Sequence, residues 1–173
     1  NTYLIFSSDN GLHLGDWSLR AGKMTPFDTD VRVPLIVVGP RVAAGATVDS
    51  IVENIDLCPT FTELAGATPS TPPDGRSLVS LFDGVAPKSW RQAALIEHQR
   101  PESDPDDPDV AEPSASNPPS YAALRFEDAL YVEYDDVRQT RSYYDLVHDP
   151  YELHNIVDQL DPDRLDQLHQ RLE

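Results

Sequence analysis

Thr2-Tyr3-Leu4-Ile5-Phe6-Ser7, followed by Ser8-Asp9-Asn10-Gly11, is the stretch on which the fold turns. Its first half is short, apolar, β-branched and aromatic, the composition of a buried strand. Its second half is a cluster of turn formers that ends the strand abruptly. Asp9 and Asn10 therefore stand at a strand end, the edge at which open α/β sheets gather their ligands. The chain enters this strand directly from Asn1, as a segment of a longer protein does, and the missing strands of the sheet are expected upstream.

Reading outward, Val33–Val38 is a second apolar run, closed by Gly39-Pro40. Ile55–Gly66 reads as a helix, with Asp56 as N-cap, Leu57, Phe61, Leu64 and Ala65 on one face, and Gly66 at the C-terminal cap. Apolar strands alternating with a helix predict an α/β sheet covered on both faces. The pattern then changes. Ala93–Glu97, Tyr121–Phe126, Leu130–Tyr134 and Arg141–Leu146 are short aromatic and β-branched segments between acidic turns, an antiparallel meander. Asp161 as N-cap and Pro162 at the first helical position open a closing helix with Leu165, Leu168 and Leu172 on one stripe. Residues 1–92 thus read as part of a larger α/β domain, and residues 93–173 as a small α+β subdomain.

The 173 residues carry 30 acidic and 13 basic side chains, a net charge of -17. The charge is uneven: residues 1–100 carry a net of -3 and residues 101–173 a net of -14. Pro101–Ser120 holds six prolines, six acids and no base, a solvated loop with little to bury. A surface this acidic repels the phosphates of nucleic acid and of anionic membranes. No apolar stretch approaches the ~20 residues that span a bilayer. A single Cys excludes an intrachain disulfide and any multi-Cys zinc or iron–sulfur centre.

Asp9 and Asn10 place a carboxylate beside a carboxamide, hard oxygens that suit Ca²⁺ or Mg²⁺ better than zinc. The same triplet with Gly11 is also an ordinary turn. An EF-hand is excluded, because no ladder of acids ends in a Glu at position twelve. Lys23 is one of two lysines, and it follows Gly22. It is not part of a phosphate-binding P-loop, since six residues rather than four separate Gly15 from Gly22 and Met24 replaces the Ser/Thr. It can still present its ammonium to an oxyanion as a point charge. His13, three residues beyond Asn10, is placed to reach the same site with a ring able to transfer protons. Arg32 suits an ion pair with Asp28 or Asp30 better than an anion. Cys58, inside the expected helix, reads as a buried inert thiol.

In order along the chain, Tyr3-Leu4-Ile5-Phe6-Ser7-Ser8-Asp9-Asn10-Gly11, His13, Gly15, Lys23, Arg32-Val33-Pro34 and Gly39-Pro40 form a series. It continues through Asn54-Ile55-Asp56-Leu57-Cys58-Pro59-Thr60 and Asp74-Gly75-Arg76-Ser77-Leu78 to Tyr144-Asp145-Leu146, Asp149-Pro150, Glu152 and Asn155. This series resembles the C-terminal half of a type I sulfatase catalytic domain. It is most similar to the glucosamine-6-sulfatase and heparan-sulfate endosulfatase branch.

The resemblance implies an alkaline-phosphatase-like α/β fold, here without its N-terminal half, and a small C-terminal antiparallel subdomain. It implies hydrolysis of sulfate esters, of a sulfated sugar in this branch, by a formylglycine hydrate beside a divalent cation, usually Ca²⁺. By the same resemblance Asp9 and Asn10 are the second pair of metal ligands. Lys23 holds the sulfate, and His13 stands near the substrate. The Cys/Ser-x-Pro-x-Arg motif that becomes formylglycine does not occur, since Cys58-Pro59-Thr60 lacks both the spacing and the arginine. The chain by itself is therefore expected to be catalytically incompetent. Two other readings stand beside this one: a phosphodiesterase or phosphonate hydrolase of the same superfamily, and a noncatalytic acidic module that binds Ca²⁺.

Overall fold

The computed structural model describes residues 1–100 and 118–172. Most of the acidic Pro101–Ser120 run, residues 101–117, lies outside the described residues. The chain divides into two compact units, residues 1–9 with 34–94 and residues 10–33 with 95–173. This division differs from a single cut near residue 92, because residues 10–33 leave the first unit and join the second.

In the first unit, β1 (Leu4–Ser7) pairs antiparallel with β2 (Leu35–Val38), with Leu4 opposite Val38 and Ser7 opposite Leu35. The expected cover on both faces is not present among the described residues. Strand side chains alternate, and one face of this pair, Leu4, Phe6, Ile36 and Val38, is more than half exposed. The other face packs Leu35 and Val37 into a core built on Leu78, Leu81 and Phe82. The helix of this unit, α2 (Leu57–Ala65), starts directly after Asp56 and ends at Gly66 with φ 63, the bounds its caps predict, and a 3-10 turn at Asn54–Asp56 precedes it. Leu57 and Leu64 face the core, while Phe61 and Ala65 do not.

Cys58 is exposed, which corrects its reading as a buried thiol. The cause is the anchoring of Thr60. Its hydroxyl donates to Asp56 O at 2.6 Å and accepts from Leu78 N at 2.8 Å, with Thr60 fully buried. Residues two apart on a helix are separated by about 200°, so turning Thr60 inward turns Cys58 outward.

Asp56 also departs from its expected role as a cap. Its carboxylate makes no bond to the helix amides that follow it. It accepts instead from Glu53 N at 2.8 Å, from Arg76 N at 2.7 Å and from the Arg91 guanidinium on both oxygens. A fully buried carboxylate needs such partners, and these staple the start of the helix to the loop after it.

In the second unit, α1 (Asp28–Val31) is a single turn, and β3 (Ala93–His98) enters the unit at Leu95. With β4 (Tyr121–Phe126), β5 (Ala129–Tyr134) and β6 (Arg141–Asp145) it forms a four-stranded sheet in chain order. The β4–β5 and β5–β6 pairings are antiparallel, as the aromatic and β-branched pattern predicts. Tyr121, Ala123, Leu130, Val132 and Tyr144 form its core, and Phe27 packs on it edge-on to Tyr144. The closing helix, α3 (Pro162–Leu172), is capped by Asp161, which accepts from Asp163 N at 2.9 Å. Its Leu168 is 1% exposed.

Candidate anion and cation site

Asp9 and Asn10 fall on the turn that follows β1, and His13 and Lys23 on the loop that runs from it to α1. Asp9 closes the first unit and is exposed. Within that unit Asn54 Nδ2 donates to the carbonyls of Ser8 and Asp9 at 3.3 and 3.2 Å, which fixes the end of β1. Asn10 opens the second unit and is half-buried. The structure brings Lys23 to it: Lys23 Nζ donates to Asn10 Oδ1 at 3.0 Å. Asn10 Nδ2 in turn donates to Gly11 O at 2.7 Å. The lysine is exposed, so its ammonium faces solvent where an anion can approach.

The loop that carries both residues closes on α1. Gly11 N donates to Asp30 O at 2.8 Å and Leu12 N to Thr29 O at 3.0 Å. His13 and Gly22 exchange both backbone hydrogen bonds at 3.0 Å, so the residue before Lys23 is tied to the third residue after Asn10. His13 has no solvent exposure, and its Nδ1 lies 2.9 Å from Asp30 Oδ1. An ionised carboxylate only accepts, so Nδ1 carries the hydrogen. Thr25 donates to the same carboxylate from its backbone N–H, at 2.9 Å, and from its hydroxyl. Asp30 was not legible as a site residue, because its partners lie up to 17 residues away. The closely spaced acids Asp28 and Asp30 before Arg32 were the only signal.

Asp28 holds α1 in place. It pairs with Arg125 at 2.7 and 2.9 Å, and more loosely, at 3.5 Å, with the exposed Arg32. Its backbone N–H is taken by the carboxylate of Glu152 at 3.0 Å. Glu152 is 2% exposed, and burial is the main reason that its carboxyl is pushed up to about 7. The Asp28 N–H bond and Arg125 oppose that rise, while the nearby Asp28 and Asp149 charges add to it.

A separate cleft of about 650 Å³ in the second unit is lined by Glu97, His98, Tyr121, Tyr134, Arg141 and His169. It includes none of Asp9, Asn10, His13 and Lys23, and its Glu133 is already occupied by Arg141 and His169.

The donor types on the turn fit a hard divalent cation, one carboxylate and one carboxamide oxygen. They supply two ligands where Ca²⁺ takes about 6–8. Among the described residues no group of three or more His, Cys, Asp or Glu is placed to complete such a shell.

Comparison with known proteins places the whole in a family. Residues 21–173 match the family described as N-sulphoglucosamine sulphohydrolase, C-terminal. The N-acetylglucosamine-6-sulfatase of Homo sapiens is 35% identical over 192 aligned residues, covering 99% of this chain and 34% of that protein. The extracellular sulfatase SULF-1 homolog of Drosophila melanogaster is 41% identical over 56% of this chain and 9% of its own length. A protein solved in complex with its substrate D-glucosamine-2-N,6-O-disulfate superposes with a TM-score of 0.82 at 25% identity. The match covers 98% of this chain and 33% of that one. The phosphonate monoester hydrolase of Silicibacter pomeroyi superposes with a TM-score of 0.74 at 29% identity, over 98% of this chain and 33% of that one. The chain belongs to the type I sulfatase family and matches its C-terminal region, in the glucosamine-6-sulfatase branch, with the alkaline-phosphatase-like fold of that family. It spans about a third of the length of the N-acetylglucosamine-6-sulfatases it matches.

Proposed function

We propose that this chain forms the anion-binding side of a sulfate-ester hydrolase site, with a sulfated glucosamine as the substrate class. The observation that carries the reading is the Lys23 Nζ–Asn10 Oδ1 bond at 3.0 Å, which puts one exposed ammonium beside one hard oxygen donor on the turn after β1. Lys23 binds a sulfate oxygen as a point charge and stabilises negative charge as it develops at the ester oxygen. Asp9 and Asn10 are the residues that would hold a divalent cation, Ca²⁺ by the chemistry of their oxygens. When bound, such a cation supplies charge neutralisation at the sulfate oxygens. His13, expected beside the substrate, is fully buried against Asp30 and holds the loop instead of touching the anion. The names of the relatives support the substrate class, which are sulfatases of glucosamine sugars.

The reaction also needs a nucleophile, which the family makes as formylglycine from a Cys/Ser-x-Pro-x-Arg motif. That motif is absent from these 173 residues. The chain alone is therefore expected to bind sulfate and Ca²⁺ weakly and to turn over nothing. Calorimetry of Ca²⁺ and of sulfate, on the chain and on Asp9→Ala, Asn10→Ala and Lys23→Ala, tests the assignment. Loss of Ca²⁺ binding in the first two and of sulfate binding in the third is expected. Ca²⁺ binding that survives both metal-ligand substitutions would favour a noncatalytic acidic module instead. Clear turnover of an aryl sulfate by the chain would refute its incompetence.

The superposition on phosphonate monoester hydrolases favours a second reading, since a cation and a lysine serve a phosphoryl group as well. Comparing phosphonate with sulfate as the titrant separates the two.

A further inference from the structure

We propose that Asp30 is a positioning residue for the anion-binding loop, setting where Asn10 and Lys23 stand. This rests on the assignment of Lys23 and Asn10 to the site.

Three anchors of the loop converge on Asp30. Its backbone carbonyl takes the N–H of Gly11, the residue after Asn10. Its two oxygens share the Nδ1–H of His13, at 2.9 and 3.0 Å, and the His13 backbone holds Gly22, the residue before Lys23. Its Oδ2 takes both donors of Thr25, two residues after Lys23. Both site residues thus stand within two residues of an anchor. Met24, between Lys23 and Thr25, has φ 86. A non-glycine residue stays in that region only where its surroundings hold it there, and the clip from Thr25 to Asp30 supplies the hold.

The chemistry of the hub is specific to a carboxylate. Three hydrogens point at two oxygens: those of His13 Nδ1, Thr25 N and the Thr25 hydroxyl. Aspartate accepts on both oxygens, whereas asparagine offers one oxygen and turns an NH₂ toward either His13 or Thr25. An isosteric exchange therefore leaves a donor facing a donor, or forces the His13 ring to move its hydrogen from Nδ1 to Nε2, in a site with 4% exposure. The hub itself does not touch an anion, since Asp30 and His13 are both buried. It acts through Gly11, Gly22 and Thr25.

The test uses the 173-residue chain and Asp30→Asn, followed by NMR. Loss of a charge-assisted buried hydrogen bond is worth about tenfold or more in a local equilibrium. Asp30→Asn is accordingly expected to speed amide exchange at His13 and Gly22 by about tenfold. It should also alter the ring-nitrogen shifts of His13 and weaken sulfate binding, observed at Lys23, by a similar factor. Leu64→Ala, in the core of the other unit, controls for general destabilisation and should leave all three readouts unchanged. A folded Asp30→Asn with unchanged exchange at Gly22 and unchanged sulfate affinity overturns the proposal. If Asp30→Asn does not fold, Thr25→Val removes a single donor from the hub and should show the same changes at about a third of the size. Unchanged exchange in that variant also overturns it. If the parent chain binds no sulfate at all, the functional assignment falls, and the exchange and ring-nitrogen readouts alone decide the role of Asp30.

Discussion

Glu152 accepts the backbone N–H of Asp28 at 3.0 Å, across 124 residues of sequence. The contact links the Asp149-Pro150-Tyr151-Glu152 turn to the first turn of α1 within one compact unit. Trp17 strengthens it by donating its indole N–H to the carbonyls of Tyr151 and Glu152, both at 3.1 Å. Its energetic sign depends on pH. The carboxyl is raised to about 7, mainly by burial, from an ordinary value of 4.5. The folded state thus prefers the proton more strongly than the unfolded state does. The contribution of this group to stability is most favourable below pH 4.5, falls as pH rises, and reaches its floor above about 7.

From that follows the first prediction. Between pH 4.5 and 7.5 this one group should cost the fold up to on the order of 3 kcal/mol. Glu152→Gln keeps a carbonyl oxygen for Asp28 N–H and removes the buried charge. Urea denaturation at several pH values should show a flatter stability profile for the variant over that window. The two proteins should be closest in stability at the acid end.

In the first unit the carboxylate of Asp56 is fully buried and the Arg91 side chain is 8% exposed, and they meet on both oxygens. Removing one member of such a pair costs roughly 3–5 kcal/mol, because the partner is left charged and buried. Asp56→Ala should be the worse of the two substitutions. It also strands the N–H groups of Glu53 and Arg76, whereas Arg91 retains Glu53 as a second partner. Thermal melts of Asp56→Ala and Arg91→Ala should rank in that order.

Gly11 is required by proximity. A Cβ built at that position would stand 1.9 Å from the carbonyl oxygen of Thr29, which is backbone and cannot swing aside. Gly11→Ala should therefore push the loop off α1, at about 1–3 kcal/mol for overpacking. It should also raise the amide exchange of Leu12, whose N–H is held by that same carbonyl.

Cys58 should react in the folded state. Its thiol is exposed, so a thiol reagent should label it at a rate within about tenfold of that in denaturant. A buried thiol would be protected by orders of magnitude. Thr60→Val, which removes the hydroxyl that anchors this face of α2, should destabilise the helix without protecting the thiol.

Much of this was readable in advance because it is local. The meander strands and the Asp161-Pro162 helix start depend on propensity and capping between near neighbours, and the structure reproduces them within a residue or so. The ordered series from Asp9-Asn10-Gly11 to Asp149-Pro150 carried the family, and the comparisons show it. Asp9 and Asn10 on the turn and Lys23 on the loop before α1 were singled out by chemical type and by resemblance. One reading failed on facing: Cys58 was expected to face inward and is exposed. The amide that helps turn Thr60 inward, that of Leu78, lies 18 residues further along the chain.

Sequence alone determined the elements, the family and the hard-oxygen and cationic side chains on the turn after β1 and the loop from it to α1, since each depends on residue type and short spacing. Tertiary structure alone decided that Asp30 gathers His13, Thr25 and Gly11, that Glu152 takes Asp28, and that Asp56 takes Arg91 rather than its own helix. The reason is the same throughout. A buried carboxylate must find hydrogen-bond donors, and which donors come within reach is settled by packing rather than by order in the chain.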